Sequence, residues 1–365
     1  MKLDKDFSVI DYDDLQSKVM DWLRFPLMVA ICFIHIDHQL FISMNPSVAT
    51  YSVYFLISQI LAKLAVPLFF IISGYYFFYN KNGKKTLFNK EIYISKLRKR
   101  VHTLLIPYLF WNALLLCLYL ANLYYESHTL LSPFQILIEF VSHKGSSMPV
   151  AFQFWFIRDL MFLSIISPIL YFIIRKGKLI IILLLSIFWI FQIDLKVLDN
   201  VSLFYFSLGA FFSINDRNII KDVMRLPNLF LYIVVVELLL MDWLGNCPPT
   251  NTVHTAVNEI YLHNTFILFG VTSALNLVAW CFKTGKLHNV NKRLSNASFF
   301  LFAIHPLLLV NIFNRLPLKF LPHNDFTLLL VYLLSVPAVS ICAVWLYNLL
   351  KKYFPNFTSI ITGGR

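Results

Sequence analysis

Glycine is scarce, ten in 365 residues, and no two stand in a G-x-G pair, which excludes the usual glycine-rich nucleotide loops. The five cysteines (Cys32, Cys117, Cys247, Cys281 and Cys342) show no metal-ligand spacing, and four of them lie in apolar runs. Neither a metal site nor a disulfide framework is expected. Charge is also sparse: 14% of residues are Asp, Glu, Lys or Arg, against roughly a quarter in soluble proteins. No internal repeat, low-complexity tract or soluble domain of useful size is present. The acidic amino terminus, with Asp4, Asp6, Asp11, Asp13 and Asp14, does not resemble a cleaved signal peptide.

What is abundant is apolar: 58% hydrophobic, 17% aromatic, with a mean hydropathy of +0.68. The expected fold is an all-α polytopic membrane bundle. Windows of about twenty residues give about ten spans, at 24–43, 53–79, 103–123, 151–174, 179–194, 201–214, 229–244, 263–282, 298–314 and 326–350. The fifth and sixth are short, and Pro67 is expected to break the second. A cytoplasmic amino terminus places almost all of the 31 basic residues inside. Outside remain only Lys144, Lys196, Arg315 and Lys319, with Lys63 and Arg158 left within spans. By the positive-inside rule both termini are cytoplasmic. Residues 1–23 read as a cytoplasmic lead-in, 24–350 as one membrane domain and 351–365 as a cytoplasmic tail. The net charge of +12 would suggest nucleic acid in a soluble chain, but here its placement matters more than its sum, and the expected partner is a lipid bilayer.

Chemistry starts in the first span. Arg24 and His35 are eleven residues apart, three helical turns plus about 20°, so one helix carries both on one face about 16 Å apart. A core histidine with an ordinary interfacial arginine explains the pair as well as a site does. Asp37, at i+2, faces away from His35, whereas His38, at i+3, lies close to its face. Ser73-Gly74 stands among aromatics near the inner end of the second span, where close helix packing is the simpler explanation. Arg98, Lys99 and Arg100 precede Ile106-Pro107-Tyr108; they anchor the inner interface and can also pair with phosphates. Arg158 and Asp159 open the fourth span and, being adjacent on a helix, are expected to reach different partners. His305 is followed by Pro306, which should kink its helix.

These residues form an ordered set. Arg24 with His35, PLFFIISGYYFF at Pro67–Phe78, IPY at Ile106–Tyr108, WFIRDL at Trp155–Leu160, FSLG at Phe206–Gly209 and SFFLFAIHP at Ser298–Pro306 together resemble the acyltransferase 3 family of integral membrane acyltransferases. The resemblance covers nearly the whole chain and is to the form without a following SGNH-type esterase domain. It implies a bundle of about ten helices in a bacterial inner membrane. It also implies transfer of an acyl group, commonly acetyl, from cytoplasmic acyl-CoA to a hydroxyl of a surface glycan or related acceptor. The donor is a substrate, and no bound cofactor is implied. The family's essential Arg and His fall on Arg24 and His35, and its Ser-Gly on Ser73-Gly74. The basic segment fits less closely, because His102 and Thr103 stand where a further arginine is usual.

The chemistry agrees with the resemblance. O-acylation from a thioester needs a base to activate a hydroxyl, or a nucleophile to carry the acyl group, and a neutral imidazole can do either. Arg24 would then hold the donor's phosphates or thioester end, with Arg98, Lys99, Arg100, Ser73 and Gly74 around it. Asp37, His38, Arg158, Asp159 and His305 are candidates for supporting the site, His305 in packing or behind the reacting groups. A transporter or flippase would explain intramembrane ionisable residues and a broken helix equally well, but the absence of a repeat speaks against it. A purely structural envelope protein would leave the buried charges unexplained.

Overall fold

The computed structural model describes residues 11–79, 89–128, 130–193, 198–246 and 256–364. Asp4, Asp6, Lys81, Lys196 and the segment with Cys247, Pro248, Pro249 and His254 lie outside the described residues. Among those described, every regular element is a helix. Helices suit lipid, because each satisfies its own backbone with internal hydrogen bonds.

Helix α1 (Tyr12–Ile34) begins where the Asp11 carboxylate accepts from the backbone N–H groups of Asp13 and Asp14. From Tyr12 onward, the expected lead-in is thus part of the same helix as Arg24. That helix stops at Ile34 rather than near residue 43. His35 is its cap, and the Phe33 carbonyl in the last turn, which the Ile36 N–H meets only at 3.4 Å, accepts from Ser58 Oγ at 2.7 Å. After the break come α2 (His38–Ser43), capped by the Asp37 side chain, and α3 (Val48–Tyr54). A wide π turn (Phe55–Leu61) and a tight 3-10 turn (Ala62–Leu64) then lead into α4 (Ala65–Phe78). The irregularity precedes Pro67, which has no N–H to offer the Lys63 carbonyl.

The expected basic loop before the third span is helical from residue 90. Helix α5 (Lys90–Arg100) joins α6 (Ile106–Ser127) through a π turn. Next come the short α7 (Pro133–Glu139) and the long α8 (Trp155–Ile190), which Lys178 (φ 47°, ψ −128°) divides into two rods. These rods match the expected spans at 151–174 and 179–194. Helices α9 (Asn200–Ile214), α10 (Ile219–Val223), α11 (Asn228–Asn246) and α12 (Ala256–Lys283) follow. Helix α13 (Lys292–Leu308) runs through Pro306, and a bend of 52° separates it from Ile312–Phe320, which contains α14 (Leu316–Phe320). The bend therefore falls in the π turn after the proline. Last are α15 (Asp325–Tyr353) and α16 (Pro355–Thr362).

By length and composition, four helical stretches among the described residues can cross a membrane: Val48–Phe78, Lys90–Ser127, Tyr261–Lys283 and Asp325–Tyr353. The bent pair at α13 would make a fifth. Other apolar stretches are helical too, but α1 carries Asp21 and Arg24, and α9 has 15 residues. That is about 22 Å of helix, against a hydrocarbon layer of about 30 Å. Outward-facing side chains such as Ile165, Ile169, Ile341 and Trp345 are exposed and apolar, as a lipid-facing surface requires.

The tightest seam lies between α4 and α9. A Cβ added to Gly74 would stand 2.1 Å from the Phe206 carbonyl oxygen, and one added to Gly209 would stand 2.1 Å from that of Ile71. Each helix therefore presents a glycine to the other's backbone, an approach that small residues permit in membranes. Residues 351–364 are helical for most of their length and do not form a free tail. Helix α16 packs on α6, Trp111 Nε1 donates to the Ile361 carbonyl at 3.0 Å, and Thr358, Ile361 and Thr362 are buried.

Gly74→Val or Gly209→Val should each destabilise the fold by about 3 kcal/mol, because the intruding methyl groups meet backbone rather than a yielding side chain. Thermal unfolding in detergent reads this; an unchanged midpoint in both variants would refute the seam.

Candidate active site

Helix α1 delivers His35 by ending. It is the residue beyond the last helical turn (φ −94°, ψ 11°), and Phe152 meets its ring edge-on at 5.1 Å. Its Nδ1 lies 2.8 Å from Nε2 of His305, which is fully buried. His305 Nδ1 in turn lies 2.8 Å from the Phe302 carbonyl. The neighbouring proline explains that last contact. In a regular helix the N–H of residue 306 would donate to the Phe302 carbonyl, but Pro306 has none. The carbonyl accepts from His305 instead.

This chain of contacts assigns the protons. A carbonyl only accepts, so His305 carries its proton on Nδ1 and, when neutral, presents a lone pair at Nε2. His35 must then donate from Nδ1, which leaves its own Nε2 with a lone pair and no hydrogen-bond partner among the described residues. Such an imidazole is oriented as a base or nucleophile.

Two cavities approach this pair. The larger, about 990 Å³ and called outer after the sidedness expected from the basic residues, is lined by His35, Lys63, Trp155, Arg158, Trp189 and His263, among others. The smaller, about 520 Å³ and called inner on the same expectation, is lined by Arg24, Ser73, Tyr76, Lys96, Lys99 and Arg100, among others. Ile31, Phe156 and Phe302 line both and form the partition between them. A strongly basic chamber thus adjoins a chamber with an oriented imidazole.

The structure distributes the expected residues unevenly. Arg24 reaches the inner cavity while forming an ion pair with Asp21 at 3.1 Å. Ser73 lines the same cavity, but its neighbour Gly74 does not and instead forms the α9 seam. Lys99 and Arg100 line it, whereas Arg98 is exposed elsewhere on α5. Helical periodicity explains this: at about 100° per residue Lys96, Lys99 and Arg100 fall on one side of α5, and Arg98 falls on the other. His38 does not share a face with His35, because α1 has already ended; its ring stacks on Tyr54 at 5.5 Å. Asp37 caps α2 and pairs with Arg315 at 3.2 Å, away from the imidazoles.

Arg158 and Asp159 do not go to separate partners as expected of adjacent helical residues. The guanidinium folds back onto the next carboxylate at 3.0 Å. The pair lies in the first turn of α8, where the long Arg158 side chain also reaches the carbonyls of Val141 and Ser147. Both residues line the outer cavity.

Several wall residues were not singled out from the sequence. Lys96 lines the inner cavity and binds the carbonyls of Phe77 and Tyr79 at the end of α4. Its place in the same basic run was the available signal. Gly363 and Gly364 also line the inner cavity. Gly363, at φ +70°, lies so close to the Thr103 carbonyl that an added Cβ would stand 2.3 Å from that oxygen. His263, at the outer cavity, pairs with Asp242 at 2.8 Å. Nothing in local spacing links residues so far apart in the chain.

Comparison with known proteins accords with this arrangement. The chain is similar to the succinoglycan biosynthesis protein ExoH of Rhizobium meliloti (strain 1021), with 24% identity over 368 residues, covering 96% of this chain and 92% of that protein. No solved structure matches. The model of the acyltransferase 3 family, described as an acyltransferase domain, matches residues 18–348. The chain therefore belongs to the acyltransferase 3 family and is a membrane acyltransferase that transfers groups other than aminoacyl groups.

Proposed function

We propose that this protein moves an acyl group, acetyl in the simplest case, from cytoplasmic acyl-CoA to a hydroxyl of a surface or exported polysaccharide. The observation that carries the reading is the shared partition: a basic cavity suited to a phosphorylated donor meets a larger cavity containing His35. Similarity to ExoH, a succinoglycan biosynthesis protein, supports the acceptor class. In this reading both termini are cytoplasmic, the bundle has about ten spans and the membrane is the bacterial inner membrane. The inner cavity then opens to the donor's compartment, and the acceptor approaches from the other side without crossing.

Arg24, Lys96, Lys99 and Arg100 hold the donor's phosphates, and the thioester extends past Ile31, Phe156 and Phe302. His35 Nε2 takes the proton of the acceptor hydroxyl while that oxygen attacks the thioester carbonyl carbon. Collapse of the tetrahedral intermediate breaks the carbon–sulfur bond, and the departing thiolate takes the proton back from His35. His305 keeps His35 in the productive tautomer and accepts from its Nδ1 throughout, so the transient imidazolium keeps a hydrogen-bond partner. Both imidazoles remain uncharged between turnovers, which suits their depth in the protein.

His35→Ala should abolish transfer of labelled acetyl groups to glycan while leaving membrane insertion intact; normal acylation in that variant would remove His35 from the mechanism.

His305→Ala should reduce kcat by about 100-fold, within the range for general acid–base catalysis, with little change in donor KM. Pro306→Ala, which returns an N–H donor to the Phe302 carbonyl, should give a smaller loss of the same kind. If His305→Ala instead raised donor KM at constant kcat, its proposed hold on His35 would be wrong.

Arg24→Ala should raise donor KM by about 10-fold, the loss of one charge-assisted contact, and Arg24→Lys should recover only part of it, having lost the planar fork. Donor saturation curves matching wild type in both variants would sink the donor-binding role.

A further inference from the structure

Lys63 is the one Asp, Glu, Lys or Arg within the helical stretch Val48–Phe78, and it stands at the midpoint of those 31 residues. An ammonium halfway along a span is unfavourable unless something compensates it. Its chain neighbours Leu64, Val66 and Pro67 are apolar, and among the described residues it makes no ion pair or hydrogen bond. It lines the outer cavity together with His35.

The other charged groups of that cavity are committed. Arg158 is held by Asp159 and by the carbonyls of Val141 and Ser147. Asp159 holds Arg158 and also accepts from the Asp199 backbone N–H at 3.4 Å, while the Asp199 carboxylate caps α9 through Val201 N–H at 2.8 Å. His263 pairs with Asp242. Among the described residues, Lys63 is the cavity's uncommitted charge. We propose that Lys63 is the counter-charge for a carboxylate, or an equivalent anionic substituent, on the acceptor, so that the outer cavity selects an acidic glycan.

This rests on the acceptor entering the outer cavity as described above. A sugar ring offers hydroxyls to His35, apolar C–H faces to the tryptophans that line the cavity, Trp155 and Trp189, and, if acidic, an anion to Lys63. A neutral sugar forgoes this ion pair and keeps the other contacts, so the acidic form should be preferred.

The test uses the host's own exported polysaccharide, stripped of acyl groups, in two forms: native, and with its carboxylates converted to methyl esters. Labelled acetyl-CoA is the donor. The wild-type enzyme should show kcat/KM about 10-fold or more higher on the native form, expressed in acceptor KM, the scale of one charge-assisted contact. Lys63→Met should bring the native form down to the level of the ester and leave the ester unchanged. Lys63→Arg should keep most of the preference. An unchanged donor KM shows that Lys63→Met is folded; if it does not fold, the wild-type comparison decides alone. Equal loss of kcat on both forms in Lys63→Met would overturn the proposal, as would equal use of both forms by the wild type or a host polysaccharide without anionic groups. Failure of the wild type to acylate either polymer would instead refute the acceptor class proposed for the enzyme.

Discussion

A helix carbonyl that loses its donor in an apolar interior must find another, and the Phe302 carbonyl, four residues before Pro306, finds the Nδ1–H of His305. That hydrogen bond constrains everything downstream. It sets the tautomer of His305, which sets that of His35, which leaves one imidazole nitrogen free at the outer cavity. In the proposed mechanism a second histidine thereby takes the orienting place that a carboxylate has in soluble triads. Without an anion, the arrangement escapes most of the desolvation cost that a carboxylate would incur at this depth.

The scaffold around the pair combines rigid and interrupted elements. The glycine seam between α4 and α9 locks two backbones together, so that Ser73 faces the inner cavity while Gly74 is used up in packing. Interruptions serve the opposite purpose. The end of α1 at Ile34 frees His35 from the helix, and the irregular turns before Pro67 surround Lys63. Backbone groups released at such breaks need partners, as the Ser58 hydroxyl on the Phe33 carbonyl illustrates. Tyr332, 2.8 Å from the Ser58 oxygen, extends that polar chain into α15.

The two cavities also differ in how their charge is balanced. Lys96 is tied to the end of α4 by the carbonyls of Phe77 and Tyr79, and the Arg100 guanidinium lies over the Phe77 ring at 5.5 Å. The inner chamber therefore keeps a net positive field with its cations preoriented, which suits the polyanionic donor proposed for it. Its wall is completed by Gly363 and Gly364, which follow α16 and lie beyond the stretch matched by the family model.

Composition and order along the chain were enough to establish a helical membrane protein and the acyltransferase 3 resemblance, and to single out Arg24, His35 and His305 as candidates, because these depend on residue type and local spacing. Pro306 could be read as a local disturbance, but not as the reason the Phe302 carbonyl is free for His305. Periodicity also misled where a helix ended early or a long side chain folded back: His38 and His35 are on different faces, and Arg158 meets its neighbour Asp159. The contact between His35 and His305 spans 270 positions, and only packing of α1 against α13 creates it. The same holds for the partition between the cavities, the docking of α16 and the isolation of Lys63. Spacing along a chain determines which side chains one helix can present together; which partners meet them depends on how separate helices pack.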